Sequence, residues 1–293
     1  MFVKYLLCLI LIIKSIESKI SIDIDTGIDN PDITVTYAGV QVDLISDDDV
    51  TKFNIDDDNL KDAVRTYFGK SPSGVYLKSP TPWGDLYKKY KFEQVSRVLS
   101  VKSARLKSIT KNPAIITTQD FENASNKTIK VNTGITHTVE NTLTTTWTED
   151  KAFSITQEIE YDINVMFTKV SGKTGFSYTS TWGKSEEVTE SITIGASTGM
   201  EAELQPGQAI TAVLSAYTGV LEVEVVYGLS LRGNVVVNFK RSHNGHHFWG
   251  PPIQKILTSA GVTNEFTAME TISFGFNVDA SLKVFDRETG KPL

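Results

Sequence analysis

The sequence has very little of several features that mark common protein classes. It contains one cysteine, Cys8, among 293 residues, so an internal framework of disulfides is excluded. After residue 13, no apolar run approaches the roughly 18 residues that a transmembrane helix requires. The formal net charge is −6 and no segment forms a basic stripe, which argues against nucleic acid as a partner.

Residues 1–18 have the pattern of a secretory signal peptide. Lys4 precedes an apolar run that extends to Ile13, and Ser18 supplies a small residue at a suitable cleavage point. The sequence therefore predicts a secreted, extracellular protein. In such a protein the two adjacent sequons, at Asn123 and Asn126, are candidate glycosylation sites on a surface loop.

A small N-terminal head is predicted over residues 19–92, with one short helix at about 59–68. Between Asp58, a predicted N-cap, and Gly69, apolar residues recur at helical spacing: Leu60, Ala63, Val64 and Tyr67. Two acidic triplets, Asp47–Asp49 and Asp56–Asp58, invite a calcium interpretation. They lack the spacing of a calcium-binding loop, so no metal site is predicted there.

Strand patterns dominate residues 93–293. Between Thr133 and Thr148, 8 of 16 residues are threonine, a β-branched residue that favours strands and tolerates water. Strands of this length are much longer than the usual five or six residues, which indicates an elongated, mainly β molecule.

A hairpin at about 151–184 shows the strongest alternation in the chain. Odd positions from Ile155 to Phe167 are mostly apolar, whereas even positions from Thr156 to Asn164 are polar. Turn-forming residues follow, and then a returning strand with Phe176 and Tyr178 on one face. Two interpretations remain open: the apolar face packs on a neighbouring sheet, or several copies close into a transmembrane β-barrel.

Two motifs that can carry chemistry lead to no catalytic or metal prediction. Gly195–Gly199 matches the nucleophile-elbow pattern G-x-S-x-G, but no helix pattern follows it. His243, His246 and His247 cluster in a predicted loop without cysteine or nearby acidic ligands, so zinc is not predicted. The same histidines are candidates for pH sensing, because imidazole gains its proton near neutral pH. We therefore predict that the protein is not an enzyme and binds no cofactor.

The long Ser/Thr-rich strands at 129–149 and 176–194, the hairpin between them and the turn at 203–208 resemble the aerolysin-like β-pore-forming superfamily, of the epsilon-toxin and mosquitocidal-toxin type. The resemblance covers roughly residues 82–286. Within the superfamily, the segments 82–87 and 246–249 are similar to the follicular-epithelium yolk proteins and the spherulin-type proteins of eukaryotes.

The resemblance implies an elongated fold of long twisted antiparallel strands with a small head. It also implies a homo-oligomer that inserts one hairpin per protomer into a lipid membrane, and a receptor of unknown identity on the target cell. The residues implied to face lipid are Ile155, Ile159, Tyr161, Ile163, Val165, Phe167, Phe176 and Tyr178. Those implied to face the lumen are Thr156, Glu158, Glu160, Asp162 and Asn164.

One feature of the hairpin departs from an ordinary pore lining. Rings of Glu158, Glu160 and Asp162 would repel one another across a lumen unless they were screened or partly protonated. Either insertion of the hairpin depends on pH, or the hairpin of this protein never inserts into a membrane. The alternative function is therefore a non-lytic secreted structural or storage protein, such as an egg-coat or yolk component.

Overall fold

The structure is a computed structural model that describes residues 18–27, 33–148, 160–169 and 172–293. The predicted signal peptide lies outside these residues, except for Ser18. The described strands are β1 (Ser18–Gly27), β2 (Ile33–Leu44), β3 (Gly74–Tyr76), β4 (Ser96–Glu122), β5 (Ile129–Asn132), β6 (Ile135–Trp147), β7 (Glu160–Lys169), β8 (Gly172–Thr181), β9 (Glu186–Ala196), β10 (Glu201–Leu204), β11 (Ala209–Arg232), β12 (Val236–His243), β13 (His246–Trp249) and β14 (Glu265–Asp286). The described helices are α1 (Asp47–Lys52), α2 (Asp57–Phe68), α3 (Leu86–Tyr90) and α4 (Ile253–Ser259).

One nine-stranded sheet, in the order β8-β7-β1-β2-β4-β11-β14-β6-β9, forms the body of the molecule. Its central strand β11 has 24 residues and pairs along its length with β4 on one side and β14 on the other. At about 3.3 Å per residue, a strand of this length spans about 80 Å. The predicted fold class, mainly β with long antiparallel strands, is confirmed.

The sheet curls so that its β7–β8 end faces β14 across a core. The ring of Phe167 in β7 lies 4.7 Å from that of Phe276 in β14, and Phe176 in β8 lies 5.5 Å from Phe274. Alternate residues of β11 and β14 complete this core, because every second side chain of a strand points to the same face.

The head contains the four helices and a three-stranded sheet in the order β13-β12-β3. The predicted helix is present as α2, although its N-cap is Asp56 and not Asp58, since the Asp56 side chain accepts a hydrogen bond from the amide of Asn59. Gly69 ends α2 in the left-handed conformation, with φ of 66°. The head has more helix than the single element predicted, because helices of five to seven residues are too short to show a period.

The predicted division at residue 92 does not coincide with the division between head and body. Strands β1 and β2, expected in the head, pair within the nine-stranded sheet. Conversely, β12, β13 and α4 from the second half of the chain lie in the head, where β12 pairs with β3. Pairing between strands so distant in sequence leaves no trace in local composition. None of the helices in the described ranges is long and apolar enough to cross a membrane.

Candidate membrane-insertion hairpin

Strands β7 and β8 form the alternating hairpin that the sequence predicts. Each has ten residues, and they pair in antiparallel register from Glu160–Thr181 to Lys169–Gly172. The apolar face of the hairpin is almost fully buried: Tyr161, Ile163 and Val165 are 0% exposed, and Phe167, Phe176 and Tyr178 are 2%, 8% and 6% exposed. Ile155, Thr156, Glu158 and Ile159 lie outside the described residues.

The apolar face packs against the body, on Phe274 and Phe276 of β14. Of the two interpretations that the alternation left open, packing within the protein describes this state of the molecule, although the strand that receives the face belongs to the same curled sheet and not to a neighbouring one. Burial of each large apolar side chain contributes about 1.5–3 kcal/mol, so this face holds the hairpin in place strongly.

The polar face of the hairpin is tied to β1. The two strands pair in parallel from Ser21–Asp162 to Gly27–Thr168, which makes β1–β7 the one parallel pairing among the described strands of the sheet. The Lys19 ammonium lies 2.8 Å from a carboxylate oxygen of Asp162. The Asn164 side-chain amide donates to the Asp23 carboxylate at 2.7 Å.

The neighbours of Asp162 favour the ionised form of its carboxyl group. Partial desolvation favours its neutral form, but hydrogen bonds from Lys19 and Thr179 outweigh it and hold the pKa of the carboxyl below its usual value. Both partners of the Lys19–Asp162 pair remain about 40% exposed, with side-chain exposures of 42% and 38%. Such a pair contributes at most about 1 kcal/mol and is easily broken.

An aromatic cluster closes the base of the hairpin. Trp147 lies at the end of β6 and Trp182 directly follows β8, so the two residues bracket the segment that contains the hairpin. Their ring centroids are 4.3 Å apart, and both rings contact Tyr227 of β11. Sequence reasoning missed this role, although two tryptophans at the boundaries of the hairpin were a visible signal.

A buried carboxyl group links the hairpin to the body. Glu270 of β14 is 0% exposed and accepts hydrogen bonds from the hydroxyl groups of Tyr161, on the hairpin, and Tyr227, at 2.7 Å for the latter. Burial raises the pKa of Glu270 to about 7, although both tyrosine hydroxyls act in the opposite direction. Desolvation and the nearby Glu270 charge also raise the pKa of both tyrosines well above its usual value. Sequence reasoning overlooked Glu270, whose even number places it on the apolar face of β14 with Ile272 and Phe274.

The three candidate pH-sensing histidines lie in the head, on the hairpin β12–β13. The predicted loop is instead a tight turn at Asn244–Gly245, where both residues have positive φ. The His243 ring contacts Phe68, Phe239 and Trp249, and His247 Nδ1 lies 2.8 Å from the carbonyl oxygen of Phe239. Throughout the described ranges, no group of three His, Cys, Asp or Glu side chains is arranged to hold a metal ion. A pH-sensing role for these histidines stays a prediction.

The two sequons differ in accessibility. Asn123 is 0% exposed, and its side-chain amide donates to the carbonyl oxygens of Lys127 and Leu204, at 2.8 Å each. Asn126 is exposed. The geometry therefore favours Asn126 as the site for a glycan.

Comparison with known proteins places the chain in a family. No protein-family model matches it. It is 34% identical over 257 residues to U-megalopygitoxin(8)-Mo12 of Megalopyge opercularis, with 88% of each chain covered. Identity to U-megalopygitoxin(8)-Mc8 of Megalopyge crispata is also 34% over 257 residues, again with 88% of each chain covered.

Among solved structures, the fold is similar to that of the parasporin-2 toxin of Bacillus thuringiensis. The TM-score is 0.51 at 19% identity, with 84% of this chain and 97% of the parasporin-2 chain covered. This similarity is one of fold and extends over most of both chains. The chain belongs to the U-megalopygitoxin(8) family.

Proposed function

We propose that this protein is a secreted pore-forming toxin that acts by assembly on a membrane and not by catalysis. Protomers associate into a homo-oligomer, and each inserts the hairpin β7–β8 as two strands of a transmembrane β-barrel. The observation that carries the proposal is an amphipathic hairpin at the edge of the sheet, whose described residues are paired to the body along a single strand ladder.

The hairpin can leave the body as a unit. Its internal pairing covers both strands over ten residues each, and none of these hydrogen bonds involves the rest of the sheet. Release breaks the β1–β7 ladder, the contacts of the apolar face, the buried Tyr161–Glu270 contact and a few polar contacts at the surface. Because β8 is the edge strand of the sheet and, among the described strands, is paired with β7 alone, release of the hairpin opens one ladder of the sheet.

The dimensions of the hairpin suit a membrane. A transmembrane β-strand needs about 9–11 tilted residues, and both strands have ten. Tyr161, Ile163, Val165, Phe167, Phe176 and Tyr178 would exchange the protein core for lipid and so keep their apolar surroundings. Glu160, Asp162 and Asn164 would line the water-filled lumen, where carboxylates favour cations.

The family and the fold give this proposal further support. The relatives from Megalopyge are named as toxins, and parasporin-2, whose fold is similar, is a toxin as well. We propose that the lipid membrane is the target and that the head carries the surface for a receptor. The egg-coat or yolk alternative has no observation of its own in its favour.

The test is release of an encapsulated dye from liposomes and from whole cells by the secreted protein, with SDS-resistant oligomers assayed in the same samples. The proposal predicts leakage together with oligomers of defined size. Folded protein that neither oligomerises nor releases dye on several cell types would contradict it and favour the non-lytic alternative.

A further inference from the structure

The Glu270 carboxyl group is a junction between the mobile and fixed parts of the proposed mechanism. One of its oxygens accepts from Tyr161 of the hairpin, and the other accepts from Tyr227 of the body. Within the described part of the hairpin, the Tyr161–Glu270 contact is the polar contact that joins the apolar face to β14, the strand on which the face packs. Release of the hairpin therefore breaks the Tyr161–Glu270 contact and leaves Glu270 facing water.

The surroundings of Glu270 favour the protonated, neutral form of its carboxyl group. The titratable groups that act on it come from three strands: Tyr161 from β7, Tyr227 from β11 and Glu186 from β9, and none of these three is a cation. The indoles of Trp147 and Trp182 cover the Tyr227 ring and help exclude water. A buried carboxylate without a cationic partner is costly, so its neutral form is favoured.

We propose that Glu270 is a proton-dependent lock on the hairpin: while its side chain is neutral it keeps Tyr161 and β7 docked, and loss of the proton favours release. A neutral carboxyl can donate to one tyrosine hydroxyl and accept from the other, so it can bind both without a buried charge. The docking equilibrium itself is independent of any pore. Only the consequence at a membrane rests on the proposed function.

The direction of the pH effect follows from the two states. With the hairpin docked, the pKa of Glu270 is raised to about 7 from its ordinary value of 4.5. With the hairpin released, water returns the pKa towards the ordinary value, so the docked form binds the proton more tightly. Docking is then strongest in acid and weakens as pH rises towards 7, by up to about tenfold per pH unit. The carboxylates of the lumen face predict the opposite trend, insertion favoured by acid.

The experiment measures docking directly in the soluble, full-length chain with Cys8→Ser. A single cysteine replaces Val165, which is 0% exposed, or Ser177, which is exposed on the opposite face of the hairpin. The ratio of the two thiol-labelling rates cancels the intrinsic pH dependence of the thiol and reports release of the hairpin. We expect this ratio to rise at least tenfold between pH 5.5 and pH 8.

Three variants assign the effect. Glu270→Gln keeps the shape but has no proton to lose, so its labelling ratio should be low at all pH values. Tyr161→Phe removes the hairpin side of the lock and should raise the ratio at pH 5.5 by about fivefold, the value of one buried hydrogen bond. Tyr178→Phe is the matched control, because the Tyr178 hydroxyl is buried on the same face without a hydrogen-bond partner. Its ratio should not exceed that of the parent chain, because the substitution removes a hydroxyl without breaking a hydrogen bond.

The lock is wrong if Glu270→Gln retains the pH response, or if Tyr178→Phe changes the ratio as much as Tyr161→Phe does. Should Glu270→Gln fail to fold, the comparison between the two tyrosine variants decides. Dye release measured in parallel separates the two proposals. A pH-dependent labelling ratio without dye release would support the lock and contradict the proposed pore. Dye release with a labelling ratio that does not change with pH would support the pore and contradict the lock.

Discussion

The ring centroids of Trp147 and Trp182 lie 4.3 Å apart, although 34 residues that include the whole hairpin separate them in sequence. The contact closes the base of the hairpin, and Tyr227 supports both rings from the body. Besides the packing of its apolar face on β14, three kinds of contact hold the hairpin: the aromatic base, the Glu270 junction and the ladder to β1. Each can be tested separately.

Removal of the aromatic base should destabilise the soluble protein. Trp182 is 4% exposed, so Trp182→Ala should lower the free energy of unfolding by about 3–5 kcal/mol, as large-to-small substitutions in cores do. Trp83, in the head, is 47% exposed and serves as the comparison, with an expected loss of about 1–2 kcal/mol from its ring contacts with Tyr76 and Phe248. The measurement is urea denaturation. Equal losses of unfolding free energy for the two variants would contradict the stabilising role of the aromatic base.

The buried Arg97 should be essential for the connection between body and head. Its guanidinium, with the side chain 4% exposed, lies 2.8 Å from Asp43 of β2 and 3.5 Å from Asp49 of α1. Arg97→Leu leaves a buried carboxylate without compensation and should cost about 3–5 kcal/mol. Lys102→Leu breaks the exposed pair with Glu265 and should cost at most about 1 kcal/mol in the same denaturation assay.

The stability of the whole protein should also depend on Glu270. Because its pKa is raised in the folded state, to about 7 from 4.5, the stabilisation is present in full below about pH 4.5 and is lost as pH rises through 7. Between pH 5.5 and pH 8, this one group should lower the free energy of unfolding by about 2 kcal/mol. The difference between parent and Glu270→Gln across that range isolates the effect, and a constant difference would contradict it.

A glycan should occur at Asn126 and not at Asn123. Both amide protons of Asn123 are used in buried hydrogen bonds, which leaves no room for a sugar, whereas Asn126 is exposed. Thr128→Ala destroys the second sequon and should abolish the mobility shift on enzymatic deglycosylation. Ser125→Ala destroys only the first and should leave the shift unchanged. Loss of the shift in Ser125→Ala alone would reverse the assignment.

Local patterns in the sequence were sufficient for some parts of the fold. The alternation of residues 161–167 predicts the two faces of β7, and the helical spacing from Leu60 to Tyr67 predicts most of α2. Both features depend on neighbours within a few residues, where side-chain periodicity is direct evidence.

Other parts depend on contacts between distant residues and left no local pattern. The parallel pairing of β1 with β7 joins segments more than 130 residues apart, and the head combines residues from both halves of the chain. The Tyr161–Glu270 contact spans 109 positions. A glutamate within an apolar strand face marks an unusual site, but only the fold identifies its partners.

A reversible tether between β1 and β7 tests the central claim most directly, because release of the hairpin must separate these strands. Asp23 and Asn164 are register partners whose side chains are hydrogen-bonded at 2.7 Å, so cysteines at both positions are close enough for a disulfide. The control pair, Asn164 with Ser177, joins β7 to β8 and leaves the hairpin free to move as a unit.

The measurement is dye release from liposomes by the oxidised and the reduced forms of both double-cysteine variants, in a chain with Cys8→Ser. The account predicts no release by the oxidised Asp23→Cys/Asn164→Cys variant, recovery on reduction, and release in both states by the control. Release from the oxidised β1–β7 tether at the rate of its reduced form would show that the hairpin does not have to leave the body.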